Sequence, residues 1–298
     1  MAETIRDLVA AELSEPVDPR VAAIAEAIAA RHLPSSQAAL FYGSCLRERQ
    51  LEGRMLDFYL IVANYCTAYN KRWLATANRL IPPNVFYFEM NGLAAKYTVL
   101  SEADFARECG VSARTASVFA RFSQPSRLVW VADEEARDRS ISFVALAAPA
   151  LLGLIRPSLP DAEANDALEL WKTAFRRTYN SELRAERASR PEAIVESDPD
   201  RYRRFAKAAG FPDNRSITEV QQRTSEEAWR QFQRRGKRAS VLRLIKASFT
   251  FAGGADYIAW KINRHAGTRI ELKSWQRRHP LLAGLSLLPR LLRSGAIR

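Results

Sequence analysis

The sequence predicts an α/β domain on a mixed sheet, then a mainly helical region and a basic, amphipathic C-terminal segment. Three observations carry this expectation. Between residues 38 and 101, short runs rich in aromatic and branched residues alternate with turn signals, as strands do. Beyond about residue 140 the apolar spacing becomes helical. From Arg234 onward cations dominate, with only Asp256 and Glu271 opposing them. The expected divisions are 1–140, 141–250 and 251–298.

Ile5, Leu8, Val9 and Leu13, then Val21, Ile24 and Ile28, sit at helical spacing, and Pro16 with the Asp-Pro-Arg turn breaks them into two helices. "AALFYGS" reads as a buried strand ending at Gly43, and "MLDFYLIVA" as a second. "NKRWLATANRLI" is helical and is stopped by Pro82-Pro83. "NVFYFEM" and "LAAKYTVLS", joined by Asn91-Gly92, predict a hairpin. Ser101 caps a helix that ends at Gly110. The helical region runs from "SISFVALAAPALLGLI" through "DALELWKTAFRRTYNSELRAE"; "SRPEAIVESDPDRYRRFAKAAGF" reads as a loop or linker entering another helix.

A chain of 298 residues, 47% hydrophobic and 26% charged, is long enough to bury a sizeable core. Its net charge of +12 calls for an anionic partner: nucleic acid, a membrane surface or a phosphorylated substrate. Cys45, Cys66 and Cys109 lack metal-ligand spacing, and with three scattered histidines they give no zinc signature, so a reducing cytoplasm is expected. The acidic N-terminus lacks a signal-peptide plan, and the apolar stretch 141–155 is short for a membrane span.

The chemistry-bearing feature is a Gly-Ser pair, Gly43-Ser44, closing one strand, with Asp57 at the start of the next. Glycine lets a backbone approach phosphate closely, and N–H groups with a hydroxyl can bind its oxygens. Asp57 can hold Mg²⁺, which prefers one or two carboxylates plus substrate phosphate oxygens. The alternative is a plain turn followed by one chance acid. Where a nucleotidyltransferase pattern places a second acid, this chain has Tyr59. Glu89 is the candidate second metal ligand, or else an exposed strand end. Lys96 is a candidate for triphosphate oxygens, or else an outward-facing strand lysine.

Several segments in one order, "FYGSCLRE…LDFYLIV", "NVFYFEMNGLAAKYTVLS", "FARFSQPSRLVWV" and "LRLIKASFTFAGGADYIAWKINRHAG", resemble the mitochondrial-type CDP-diacylglycerol synthases (CTP:phosphatidate cytidylyltransferases, the translocator assembly and maintenance family). The resemblance implies a nucleotidyltransferase-like fold in which Gly43 and Ser44 bind nucleotide phosphates and Asp57 binds magnesium. It places Lys96 and Arg121 among the catalytic residues. It implies CTP and phosphatidic acid, or a related lipid phosphate, as substrates. The chain departs from the family's motifs at Thr98 for a glycine, Gln124 for a lysine, and Glu89-Met90 for an asparagine-proline.

A lipid substrate needs a route to the bilayer. In "SWQRRHPLLAGLSLLPRLLRSGAIR" leucines run from Leu281 to Leu292 between arginine pairs, which suits an anionic membrane surface and a peripheral place on its inner face. A terminal helix docked on the protein's own core is the other reading. A nucleic-acid-binding relative is the alternative from another class, disfavoured because leucine-rich runs stand where stacking aromatics would be needed. An inactive scaffold of the same fold is the third.

Overall fold

The computed structural model describes residues 3–48, 50–181, 190–212, 217–250, 271 and 273–275. Most of the expected segment 251–298 therefore lies outside the described residues. Two short helices open the chain: α1 (Ile5–Leu13), closed by a capping box between Thr4 and Asp7, and α2 (Pro19–Ala30), capped by Asp18. Then follow β1 (Ser36–Tyr42), α3 (Ser44–Glu48), β2 (Met55–Val62), α4 (Tyr65–Ala68), α5 (Arg72–Leu80), β3 (Asn84–Met90) and β4 (Leu93–Ser101). The β3–β4 turn places Asn91 at φ 52° and Gly92 at φ 75°, the positive pair that a two-residue hairpin turn requires.

After α6 (Glu102–Cys109) and α7 (Ser117–Phe122) comes a fifth strand, β5 (Ser126–Val131), which the sequence reading did not assign. β5 is an edge strand, half-buried after Ser126, and its apolar run, Leu128 to Val131, is only four residues long. The sheet order is β3-β4-β2-β1-β5, with β2 and β4 parallel and every other neighbouring pair antiparallel. This is the expected mixed sheet.

The helices that follow are α8 (Glu134–Ala145), α9 (Ala147–Ile155), α10 (Asp161–Ala164), α11 (Ala167–Asn180), α12 (Arg190–Glu196), α13 (Pro199–Ala208) and α14 (Glu219–Thr250). The region read as a loop or linker is instead two helices, α12 and α13. Its second proline, Pro199, takes the first helical position after the Asp198 cap, where a missing N–H costs nothing.

Two apolar layers sandwich the sheet. On one face Phe41, Phe58, Leu60 and Val99 pack against Val21, Ile24 and Ile28 of α2 and Ala75 of α5. On the other, Leu40, Tyr59 and Ile61 share one cluster with Phe105, Phe122, Val144, Leu151, Trp171 and Tyr202. This second cluster runs through residue 140 without a break, because Ile141 and Val144 of α8 belong to it. Sheet and helical region thus share a core. Glu134–Ser158 is long and apolar enough to cross a membrane by length and composition, but 61% of its most apolar window is buried inside the protein.

Two positions show how tightly the parts fit. A Cβ on Gly236 of α14 would lie 2.3 Å from the Ser181 carbonyl oxygen at the end of α11. Gly236→Ala should therefore destabilise by about 1–3 kcal/mol through overpacking, despite the ~1 kcal/mol gain in helix propensity, as urea unfolding would read. His32 is buried, its Nδ1 2.8 Å from the Ala68 carbonyl and its Nε2 3.2 Å from Tyr97 Oη. Burial holds its pKa below the ordinary 6.5. The unfolded chain therefore binds the extra proton first, and stability should fall as pH drops through and below about 6.5. His32→Gln should flatten that slope in melts recorded across the same range.

Candidate active site

The site is one row across the sheet. Register places Tyr87, Lys96, Asp57, Tyr42 and Ser126 side by side on β3, β4, β2, β1 and β5, so their side chains share a face. The next row on that face is Val85, Thr98, Tyr59, Leu40 and Leu128, largely apolar, and it merges into the shared core. Polar groups thus replace apolar ones where the strands leave the helices.

Gly43 follows β1 with φ +97°, the left-handed region that favours glycine. A Cβ there would sit 3.1 Å from Asp57 Oδ2. The turn and the carboxylate therefore meet, and a side chain at this φ would press against Asp57. Ser44 opens α3, which has only five residues, so the turn's own groups matter more than a helix dipole. On the other side of Asp57, Lys96 Nζ lies 2.7 Å from Oδ1, with the lysine and aspartate side chains 30% and 22% exposed. That contact is an ion pair: Oδ1 is buried and accepts no properly directed hydrogen bond. The two carboxylate oxygens are thus divided between the lysine and the Gly43 turn.

Arg121 comes from α7, whose Phe122 packs on Tyr42 and Tyr59 with ring centroids 6.1 and 5.2 Å apart. Its Nη1 donates to the Ser117 carbonyl at 2.8 Å. Burial pushes the Tyr42 hydroxyl well above its ordinary pKa, and Asp57 adds to the shift, while Arg121 and Lys96 act the other way. Asp57, Lys96 and Arg121 therefore share one electrostatic neighbourhood around Tyr42.

Glu89 is not brought into this group. It lies on the same face, but two strands from β2 and opposite Ala94 rather than Lys96. Strand spacings put its Cα about 12 Å from that of Asp57. It is exposed and accepts a hydrogen bond from Tyr87 Oη at 2.6 Å. Among the described residues no three His, Cys, Asp or Glu side chains gather as a metal site.

Two neighbours escaped the sequence reading. Arg47, one turn after Ser44, donates from Nη1 to Gln124 Oε1 at 3.1 Å, and Gln124 Nε2 donates to the Ala120 carbonyl at 2.9 Å. Gln124 thus ties the end of α7 to α3 where the resembled family has a lysine. Ser126 Oγ, at the end of the polar row, is buried without a hydrogen-bond partner. Arg47 had a signal, its i, i+3 spacing from Ser44; Ser126 had none until the register was known. Cys45, next to Ser44, is buried, and burial, with the Asp57 charge adding, pushes its thiol up to about 11, which disfavours the thiolate. Two surface clefts, of about 410 Å³ beside Asp166 and Arg203 and about 340 Å³ beside Phe119 and Phe232, lie away from Asp57. Asp166 in the first serves as the cap of α11.

A single-carboxylate magnesium site fits these residues. Asp57 is a hard oxygen ligand; Oδ1 faces the Lys96 ammonium, and Oδ2, on the side of the Gly43 turn, is the oxygen that would hold the ion.

No protein-family model matches the chain, and no curated protein is similar to it in sequence. Among solved structures, it is similar to a nucleotidyltransferase-like protein from Exiguobacterium sibiricum 255-15. That protein is 12% identical, with 93% of each chain covered and a TM-score of 0.28. The resemblance to CDP-diacylglycerol synthases therefore rests on the short motifs alone.

Proposed function

We propose that this chain is a nucleotidyltransferase whose site is the Gly43-Ser44 turn with Asp57, Lys96 and Arg121. Within that class, the motif resemblance favours CTP as donor and phosphatidic acid, or a related lipid phosphate, as acceptor. The observation that supports the reading most is the approach of the Gly43 turn to Asp57 Oδ2, at a glycine whose φ is +97°.

In this reading an acceptor phosphate oxygen attacks the α-phosphorus of the triphosphate. The bond from that phosphorus to the bridging oxygen breaks, and pyrophosphate leaves with the electron pair. A phosphate monoester is already a good nucleophile, so no strong general base is needed, and positioning with charge neutralisation supplies the rate. Gly43 allows the backbone to approach the phosphates, and Ser44 offers its N–H and hydroxyl. Lys96 and Arg121 supply positive charge on the same face of the sheet. Mg²⁺, held by Asp57 with the triphosphate oxygens, would neutralise charge on the leaving pyrophosphate. The acceptor lipid would be reached from an anionic membrane surface by a protein peripherally attached to its cytoplasmic face.

The test is pyrophosphate release from each of the four nucleoside triphosphates with Mg²⁺, with and without detergent-dispersed phosphatidic acid. CTP with phosphatidate should give release and a CDP-lipid. Turnover with a different acceptor would keep nucleotidyl transfer and remove the lipid; no release with any of the four would remove the transferase reading itself.

A further inference from the structure

We infer that the outward face of α5, carrying Trp73 and Leu80, is a docking surface for an anionic lipid bilayer. The two side chains are 48% and 74% exposed and stand two helical turns apart, on one stripe. They are not stray core residues on a loose helix. The opposite stripe is fixed to the sheet: Asn78 Nδ2 donates to the Val99 carbonyl at 3.0 Å and to Tyr69 Oη at 3.1 Å, and its Oδ1 accepts the Asn84 N–H at 2.5 Å. A rigid helix thus presents a tryptophan and a leucine to solvent.

Charge selects the occupant. Lys71, Arg72 and Arg79 flank the stripe and are exposed, and the chain carries no carboxylate between Asp57 and Glu89. An interfacial tryptophan and a leucine ringed by cations suit the boundary between headgroups and acyl chains of an anionic membrane. The end of α14 points the same way. Just beyond Leu80, Arg243 Nε donates to the Pro82 carbonyl at 2.8 Å, and Lys246 Nζ to those of Pro83 at 2.6 Å and Ile81. These bonds pin the end of α14 to the same corner, where Leu242 is also exposed, at 47%. α14 therefore ends, at Thr250, one turn beyond a lysine bonded to the Ile81 and Pro83 carbonyls that follow Leu80. Docking here is separable from nucleotidyl transfer, because α5 and Asp57 lie on opposite faces of the sheet.

The experiment uses the full chain. Leu80→Cys in a Cys66→Ser background carries an environment-sensitive fluorophore; Cys45 and Cys109 are buried, and Val111→Cys, 89% exposed at wild type and on another side, is the control. Vesicles of phosphatidylcholine with phosphatidylglycerol should shift the emission at position 80 to the blue and leave position 111 unchanged. Phosphatidylcholine alone should shift neither position. In sedimentation the pair Trp73→Ala with Leu80→Ser should lower affinity for the anionic vesicles about tenfold, while pyrophosphate release from dispersed substrate stays at the wild-type rate. Three results would overturn the assignment. Co-sedimentation with no shift at position 80 would place the contact elsewhere on the chain. A shift that needs no vesicles and grows with protein concentration would make the face a contact between copies. A vesicle-free blue shift independent of concentration would mean that the chain's own C-terminal residues cover it.

Discussion

Asp57→Asn is expected to remove nucleotidyl transfer and leave the fold intact. The carboxylate meets the Gly43 turn, and asparagine keeps its shape while removing the charge that would hold a cation. Loss of at least about a hundredfold in turnover is expected from removing a group that organises charge at the reacting phosphorus. The structural cost is small by comparison. Lys96, having lost this ion pair, is 30% exposed, and water can take up its charge. Thermal unfolding should therefore move by only a few degrees. Gly43→Ala is the companion variant, since it keeps every charge and inserts a methyl group 3.1 Å from Oδ2 at a φ that alanine resists. It should lower turnover with Asp57 still present. Wild-type turnover in Asp57→Asn would show that the site lies elsewhere.

Much of this geometry was legible because it is local. Gly43-Ser44 and Asp57 are joined by one short connection, and the Asn91-Gly92 turn announces its hairpin from two residues. Lys96 was legible as a charge in an apolar run, but its pairing with Asp57 was not. That pairing depends on β2 and β4 lying parallel side by side, with α4, α5 and β3 as the crossover between them. Glu89 has the same signature as Lys96 in the sequence, a charge among apolar residues. Only the sheet order separates them, by placing Glu89 on an edge strand where a carboxylate is solvated. β5 is a short strand whose four apolar residues, Leu128 to Val131, show neither alternation nor a hairpin turn to a partner. The shared core across residue 140 was invisible because composition changes there while packing does not.

The least legible feature carries the largest expected effect on stability. Arg201→Met should cost about 3–5 kcal/mol, the usual penalty for stranding one partner of a buried ion pair. Arg201 and Glu12 are 189 residues apart in sequence, yet their side chains are only 7% and 11% exposed. Arg201 Nη2 donates to Glu12 Oε1 at 3.0 Å, Nε donates to Oε2, and Nη1 donates to the Ser123 carbonyl at 3.1 Å. The guanidinium also lies 4.1 Å from the centre of the Phe205 ring. Glu12 Oε1 in turn accepts the Ser126 N–H at 3.4 Å. One pair therefore joins α1, α13 and the loop from α7 into β5, the loop that ends at the polar row of the site. Methionine fills the stem's volume but leaves the Glu12 carboxylate buried without its cation, and a melting-temperature drop of about 10 °C is expected. Glu12→Gln should cost less, because the amide oxygen can still accept from Arg201. Combining Arg201→Met with Glu12→Leu should recover part of the loss, since no charge is then left in the core. If the double variant were no more stable than Arg201→Met alone, the cost would lie in the lost packing on Phe205 rather than in the stranded carboxylate.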